Sequence, residues 1–176
     1  MSVVIWLTGL PCSGKTTIAK ELERRFKISN KPVQRLDGDT VRETICSDLG
    51  FSKEDRDENI KRVSYVANML AENGVAVISA FVSPYKDMRN FARSICPNFV
   101  EVYVKCDLET CVIRDVKGMY AKAIAGEIKD FTGVQDPFEE PTNPDVIVNS
   151  DVESVEICAD KVSDYLRKKY GLQIEK

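Results

Sequence analysis

The chain contains no histidine, no CxxC pair, no excess of basic residues and no long apolar run. Without an imidazole, Ser-His and Cys-His nucleophile mechanisms and a histidine general base are excluded, so any base is a carboxylate, a lysine or the substrate itself. The six cysteines, Cys12, Cys46, Cys96, Cys106, Cys111 and Cys158, are scattered and cannot complete a mixed Cys/His zinc site. They read as small buried hydrophobes. Lys plus Arg is 25 against 28 for Asp plus Glu, a net charge of −3, which argues against a nucleic-acid partner whose phosphates need basic contacts. The first residues carry no basic segment, and their apolar stretch is too short for a signal or a membrane span. A cytoplasmic protein with no membrane partner is expected.

What is present is ordinary globular material: 43% hydrophobic and 30% charged residues over 176 positions predict one domain, 1–176. Residues 3–8, 33–36, 75–81, 99–104 and, more weakly, 146–148 read as strands. The third of these does not alternate and should be buried on both faces. Helical spacing marks 15–26, 57–72, 86–95 and 155–170. Ser52 with Asp55 three residues on resembles a capping box for the second of these helices, and Gly74 its stop. Strands alternating with helices predict β-α-β crossovers and a parallel sheet covered on both faces. Residues 115–144 differ, with Gly118, Gly126, Gly133, Pro137, Pro141 and Pro144 around a helix-like segment, 119–125. That stretch reads as a mobile flap.

The stretch from Gly9 to Thr16 reads Gly-Leu-Pro-Cys-Ser-Gly-Lys-Thr, the G-x-x-x-x-G-K-[ST] phosphate loop, with a strand ahead and a helix behind. In such a loop backbone amides wrap the phosphates, Lys15 reaches the β/γ oxygens and Thr16 ligates magnesium. Asp37-Gly38-Asp39 follows the second strand, at the carboxyl edge where open α/β sheets bind ligands. One of its carboxylates can hold magnesium through water while the other orients or deprotonates an attacking hydroxyl. A simple helix-capping turn is the competing reading. Arg42, Arg56, Lys61 and Arg62 lie close behind, and a phosphate-bearing acceptor needs cations near Asp39.

Asp37-Gly38-Asp39-Thr40-Val41-Arg42, Leu49-Gly50-Phe51-Ser52, the run from Asp55 to Arg62, and Ala80-Phe81-Val82-Ser83-Pro84-Tyr85 together resemble the adenylylsulfate kinase family. The likeness continues through Arg114 to Tyr120, Ala125 to Ile128 and Phe131-Thr132-Gly133. It implies an α/β P-loop kinase fold, a mainly parallel five-stranded sheet flanked by helices on both faces, with a lid at about 115–144. It also implies transfer of the γ-phosphate of ATP, with Mg2+ and no prosthetic group, to the 3′-hydroxyl of adenosine 5′-phosphosulfate in sulfate assimilation. Carried over by position, Gly9, Cys12, Ser13, Gly14, Lys15, Thr16, Thr17 and Arg114 would contact ATP, with Thr16 and, through water, Asp37 on the metal. Asp39, Arg42, Phe51, Arg56 and Asn59 would hold adenylylsulfate, the rings of Phe51 and Phe131 sandwiching its adenine. Val82, Ser83, Lys117 and Thr132 would complete that pocket. Lys15, Asp37 and Asp39 are the implied catalytic residues, with Ser83 the nominal active-site serine, and the implied assembly is a homodimer. Thr40 stands where the family usually has Asn, and Pro11-Cys12 replaces small loop residues. Another small P-loop kinase, acting on a nucleoside monophosphate or a sugar acid, is the alternative. A non-catalytic nucleotide-binding module is a third reading, disfavoured by the presence of Lys15, Asp37 and Asp39.

Overall fold

A computed structural model of the chain describes residues 2–175. Five strands, β1 (Val4–Thr8), β2 (Val33–Asp37), β3 (Ala76–Ala80), β4 (Phe99–Lys105) and β5 (Val146–Asn149), form one sheet in the order β2-β3-β1-β4-β5. Every pairing is parallel. All five residues of β1 and of β3 are buried, as expected of strands whose apolar residues run without alternation. The carboxyl ends of β1, β2 and β3 therefore open on one edge of the molecule.

Two apolar layers sandwich the sheet. On one face α1 (Lys15–Ile28) and α7 (Val155–Tyr170) pack Ile18, Leu22, Phe26, Val162 and Leu166 on the Ile5 and Ile78 side. The opposite face carries α3 (Lys53–Glu72) and α4 (Lys86–Ile95), whose Ile60, Val63 and Met88 pack against Val4, Trp6 and Val77. Trp6 is fully buried and lies between Phe81 and Phe99, each at 5.8 Å between ring centroids. Burying an aromatic or branched aliphatic side chain of this kind contributes roughly 1.5–3 kcal/mol.

The capping signal is real: the Ser52 hydroxyl accepts from the Asp55 amide, so α3 starts at Lys53 rather than near residue 57. Gly74 follows its end in the left-handed region, φ +82°. Two short helices escape periodicity, α2 (Gly38–Glu43) and α5 (Leu108–Arg114). Each is capped by an aspartate, Asp37 and Asp107, and each is too short to show a helical repeat. Between α5 and β5 the chain makes only α6 (Met119–Ile124) and turns.

One buried cation ties α1 to α7. Arg25 is 2% exposed, and its guanidinium donates to Glu21 at 2.8 Å, Asp160 at 2.7 Å and Ser163 at 3.3 Å. Hydrogen bonds from Arg24 and Arg25 hold the Glu21 carboxyl down at about 2 despite some burial. Breaking such a buried network from one side typically costs about 3–5 kcal/mol. Arg25→Ala should accordingly lower unfolding stability by roughly that amount in urea titrations, whereas Arg24→Ala on the exposed side should cost under about 1 kcal/mol.

Candidate active site

The glycine loop begins where β1 ends, and its path is fixed by close approach. A Cβ on Gly9 would lie 2.5 Å from the Val104 carbonyl oxygen, so only glycine lets the turn pass β4. Gly14, at φ +94°, caps α1 in the left-handed region and presents the helix's first amides to the cleft. Cys12 is also left-handed at φ +60°, half-buried, and the other five cysteines are buried; all six are free thiols. Ser13 is buried, with its amide donating to the Leu10 carbonyl at 3.2 Å.

Lys15 is 8% exposed, and its ammonium donates to the carbonyls of Gly9 at 2.9 Å and Leu10 at 2.6 Å. Burial pulls its pKa down to about 8. Thr16 and Thr17 are exposed on the first turn of α1. The Thr16 hydroxyl donates to Asp37 Oδ2 at 2.9 Å, and the other Asp37 oxygen accepts from the Asp39 amide at 3.3 Å. Asp37 thus caps α2, as the competing reading of the acidic turn expects, and at once faces the loop. A hydroxyl and a carboxylate side by side are hard oxygen donors that suit Mg2+ shared with phosphate oxygens. Among the described residues no group of three or more His, Cys, Asp or Glu is placed to hold a metal by itself.

A cleft of about 860 Å³ runs from this loop toward α3. Asp39, Arg42, Phe51, Arg56 and Asn59 line its far wall. The Arg42 guanidinium sits 4.3 Å from the centroid of the Phe51 ring, whose residue is 58% exposed. Asn59 is 4% exposed, yet its Oδ1 has no hydrogen-bond partner, leaving an acceptor for a ligand donor. Lys61 and Arg62 do not join them. Arg62 instead grips Asp48 at 2.7 and 2.9 Å and Glu58 at 3.0 Å, and neither cation lines the cleft.

Val82 and Ser83 form the floor. The Ser83 hydroxyl is turned inward: it accepts from Trp6 Nε1 at 3.1 Å and donates to Thr8 Oγ1 at 3.1 Å. Its residue is 3% exposed and left-handed at φ +38°. From the roof, the Lys117 ammonium ion-pairs with Asp39, and Arg56 donates to Thr132 and to the Asp130 carbonyl. Phe131 lines the cleft and meets Tyr120 edge-on at 5.0 Å, while Tyr120 donates to the Pro11 carbonyl at 3.0 Å. Arg114 donates to the Ser150 carbonyl at 2.7 Å, and Ser150 Oγ donates to the Ser13 carbonyl at 2.6 Å. Ser150 and Glu153 border the loop end of the cleft and were not singled out from sequence. Their position just past β5, at the carboxyl edge, was the available signal.

The arrangement places a glycine loop with a buried lysine and a pair of aspartates on one edge, roofed by cations, which is the kind of equipment phosphoryl transfer uses. A sequence model of the family described as adenylylsulphate kinase matches residues 1–149. An adenylyl-sulfate kinase from Halothermothrix orenii is 54% identical over 167 residues, spanning 95% of this chain and 90% of that protein. The Mycobacterium tuberculosis APS kinase CysC in complex with AMPPNP and APS superposes with a TM-score of 0.91 at 39% identity, covering 94% of this chain and 98% of that one. A hexameric APS kinase from Thiobacillus denitrificans gives a TM-score of 0.71 at 25% identity, over 99% of this chain and 30% of that one. A match over residues 1–149 and 54% identity across nearly the whole chain show that the chain belongs to the adenylylsulphate kinase family.

Proposed function

We infer that this chain is an ATP-dependent adenylyl-sulfate kinase, transferring the γ-phosphate of ATP to the 3′-hydroxyl of adenosine 5′-phosphosulfate to give 3′-phosphoadenylyl sulfate and ADP. The observation that carries the reading is the single cleft in which the Lys15 loop faces Asp39, Arg42, Phe51, Arg56 and Asn59. ATP lies along the loop from Gly9 to Thr17, with Arg114 at its flank, and Lys15 leaves its carbonyl partners for the β/γ oxygens. Thr16 and, through water, Asp37 hold the Mg2+ that accompanies ATP, whose chemistry is to offset phosphate charge.

Adenylylsulfate occupies the far wall, its adenine between Phe51 and Phe131, its anionic groups met by Arg42 and Arg56, and a donor of its adenine amino group or ribose hydroxyls met by Asn59 Oδ1. Asp39 orients the 3′-hydroxyl and takes its proton, while Lys117 moves from that carboxylate to the anionic acceptor. Val82, Ser83 and Thr132 fix the acceptor's place; the inward hydroxyl of Ser83 suits positioning rather than a covalent step. Residues 115–144 act as a lid on one domain, 1–176, closing when both substrates are bound. The enzyme works in the cytoplasm, where ATP is made and consumed. Tyr65 and Met69, 55% and 56% exposed on α3, with Phe91 edge-on to Tyr65 at 6.0 Å, give a homodimer an apolar face, and sedimentation reads that mass directly. A coupled assay with ATP and adenylylsulfate beside AMP, shikimate and gluconate tests the activity: ADP release should require adenylylsulfate, and release with another acceptor in its place would overturn the reading.

Because Lys15 is held at about 8, its charge is complete below that pH and lost as pH rises through it. Nucleotide affinity should therefore be flat in acid and fall by about tenfold per pH unit above the pKa, with protons taken up on binding near pH ~8.5. Calorimetry in buffers of different ionisation enthalpy measures both, and constant affinity up to pH ~9.5 would show that the ammonium does not meet the phosphates.

Asp39→Asn should lower turnover by ~100- to 10,000-fold with ATP affinity nearly retained, since general-base assistance is worth that much. A loss under about threefold would remove Asp39 from the chemistry.

For the lid, Phe131→Ala should weaken adenylylsulfate binding by ~1–3 kcal/mol, the range of base–aromatic stacking, with little change in ATP affinity. Hydrogen exchange over 115–144 should slow when ADP and adenylylsulfate are added together. Unchanged exchange with unchanged affinity would make the segment a static loop.

A further inference from the structure

Arg89 lies outside the cleft lining but behind its floor, on the inner face of α4, and is 3% exposed. Its three donor edges reach three different parts of the chain. Nη1 donates to the Ser83 carbonyl at 2.7 Å, Nη2 to the Glu139 carbonyl at 2.6 Å, and Nε pairs with Glu101 Oε1 on β4 at 2.9 Å. Burying that charge is unfavourable, and the Glu101 carboxylate that pairs with it is itself shared with Arg93 at 3.1 Å. An aliphatic side chain would fill the same space without the desolvation cost, so packing does not account for a guanidinium here. What the planar fork supplies is two carbonyls held at a fixed separation, which the single point charge of a lysine cannot reproduce.

One carbonyl belongs to the cleft floor and the other to the 115–144 segment. Ser83 lines the floor in a left-handed turn, and Glu139, outside the cleft lining, lies in the downstream part of that segment. The Glu139 amide also donates to the Pro84 carbonyl at 2.8 Å, and its carboxylate accepts from the Lys86 amide at 2.7 Å. Residues 83–86 and 139 are thus clasped into one body with Arg89 at its centre. Resting on the function proposed above, we propose that Arg89 is a positioning residue that registers the lid's downstream end on the acceptor floor. With that anchor, the lid closes over the acceptor hydroxyl and shuts out water, which otherwise takes the same γ-phosphate to give ADP and inorganic phosphate.

The test measures 3′-phosphorylated product formed per ADP released, together with the KM for adenylylsulfate and the affinity for ATP. Arg89→Lys is expected to lower the product-to-ADP ratio and raise that KM by about tenfold, with ATP affinity within about twofold, as displacing a positioned substrate costs turnover without touching the phosphate loop. Arg93→Met is the control. It removes contacts to the same Glu101 and to Asp145 but touches neither carbonyl, so it should lower the melting temperature and leave the ratio at the wild-type value. A folded Arg89→Lys variant with wild-type ratio and KM would overturn the proposal, as would an equal change in Arg93→Met. Should Arg89→Lys fail to fold, Arg89→Gln decides, because its shorter, neutral amide removes the buried charge and cannot reach both carbonyls. A drop in its ratio supports the clasp, and an unchanged ratio overturns it. Wild-type enzyme that makes no 3′-phosphorylated product from ATP and adenylylsulfate would sink the functional reading itself, which the variants alone cannot do.

Discussion

The contact on which the site depends is the passage of Gly9 beneath the Val104 carbonyl, so near that a Cβ would come within 2.5 Å. That closeness exists because β1 is flanked by β3 and β4 in parallel register and buried along its whole length. The chain leaving the middle of the sheet must turn in a space already occupied by a neighbouring strand. Glycine permits the turn, the turn aims the start of α1 into the cleft, and Lys15 is drawn under the loop where burial lowers its pKa. A larger residue at position 9 would shift the loop and with it the axis of α1, whose Ile18, Leu22 and Phe26 belong to the core. Phosphate recognition and core packing are therefore one constraint, not two.

Three cations of the cleft rest on oxygen. Lys15 lies against two carbonyls, Lys117 on the Asp39 carboxylate, and Arg56 on Thr132 and the Asp130 carbonyl. A phosphate or sulfate entering the site exchanges one set of oxygens for a more strongly charged one, so much of the orientation of these long side chains is already set. The exchange also couples roof and floor, since Lys117 and Thr132 belong to the segment between α5 and β5 while Asp39 and Arg56 follow β2 and open α3. The Asp39 carboxylate is thereby linked to the position of the roof without any further device.

Elements long enough to show a period were legible in the sequence. The five strands and α1, α3, α4 and α7 emerge within a few residues, and α4 and α7 match at both ends, because apolar residues at helical spacing must face one sheet. The phosphate loop was legible because its spacing is dictated by phosphate geometry. Two short elements were not, although α6 was read as helix-like: α2 and α5 are made by an aspartate capping a single turn or two, and periodicity has nothing to count there. Arg62 shows the other limit. Spacing put it near Arg56, but six positions' separation along α3 says nothing of the Asp48 carboxylate that claims it from the preceding loop. The inward hydroxyl of Ser83 and the clasp around Arg89 are likewise tertiary facts, set by Trp6, Thr8 and Glu139.

Asp37 shows why local and functional readings of one residue need not compete. One of its oxygens takes the Asp39 amide and so begins α2; the other takes the Thr16 hydroxyl and so faces the phosphate loop. Replacing it by a residue that only caps would preserve α2 and lose the hard oxygen beside Thr16. Replacing it by one that only binds a cation, on a longer side chain, would move the amide of Asp39 and with it the carboxylate that meets Lys117. The separation between the Lys15 loop and Asp39 is thus tied to one short side chain at the end of β2. Both hydrogen bonds need the reach of an aspartate, and in-line transfer tolerates little error in that separation.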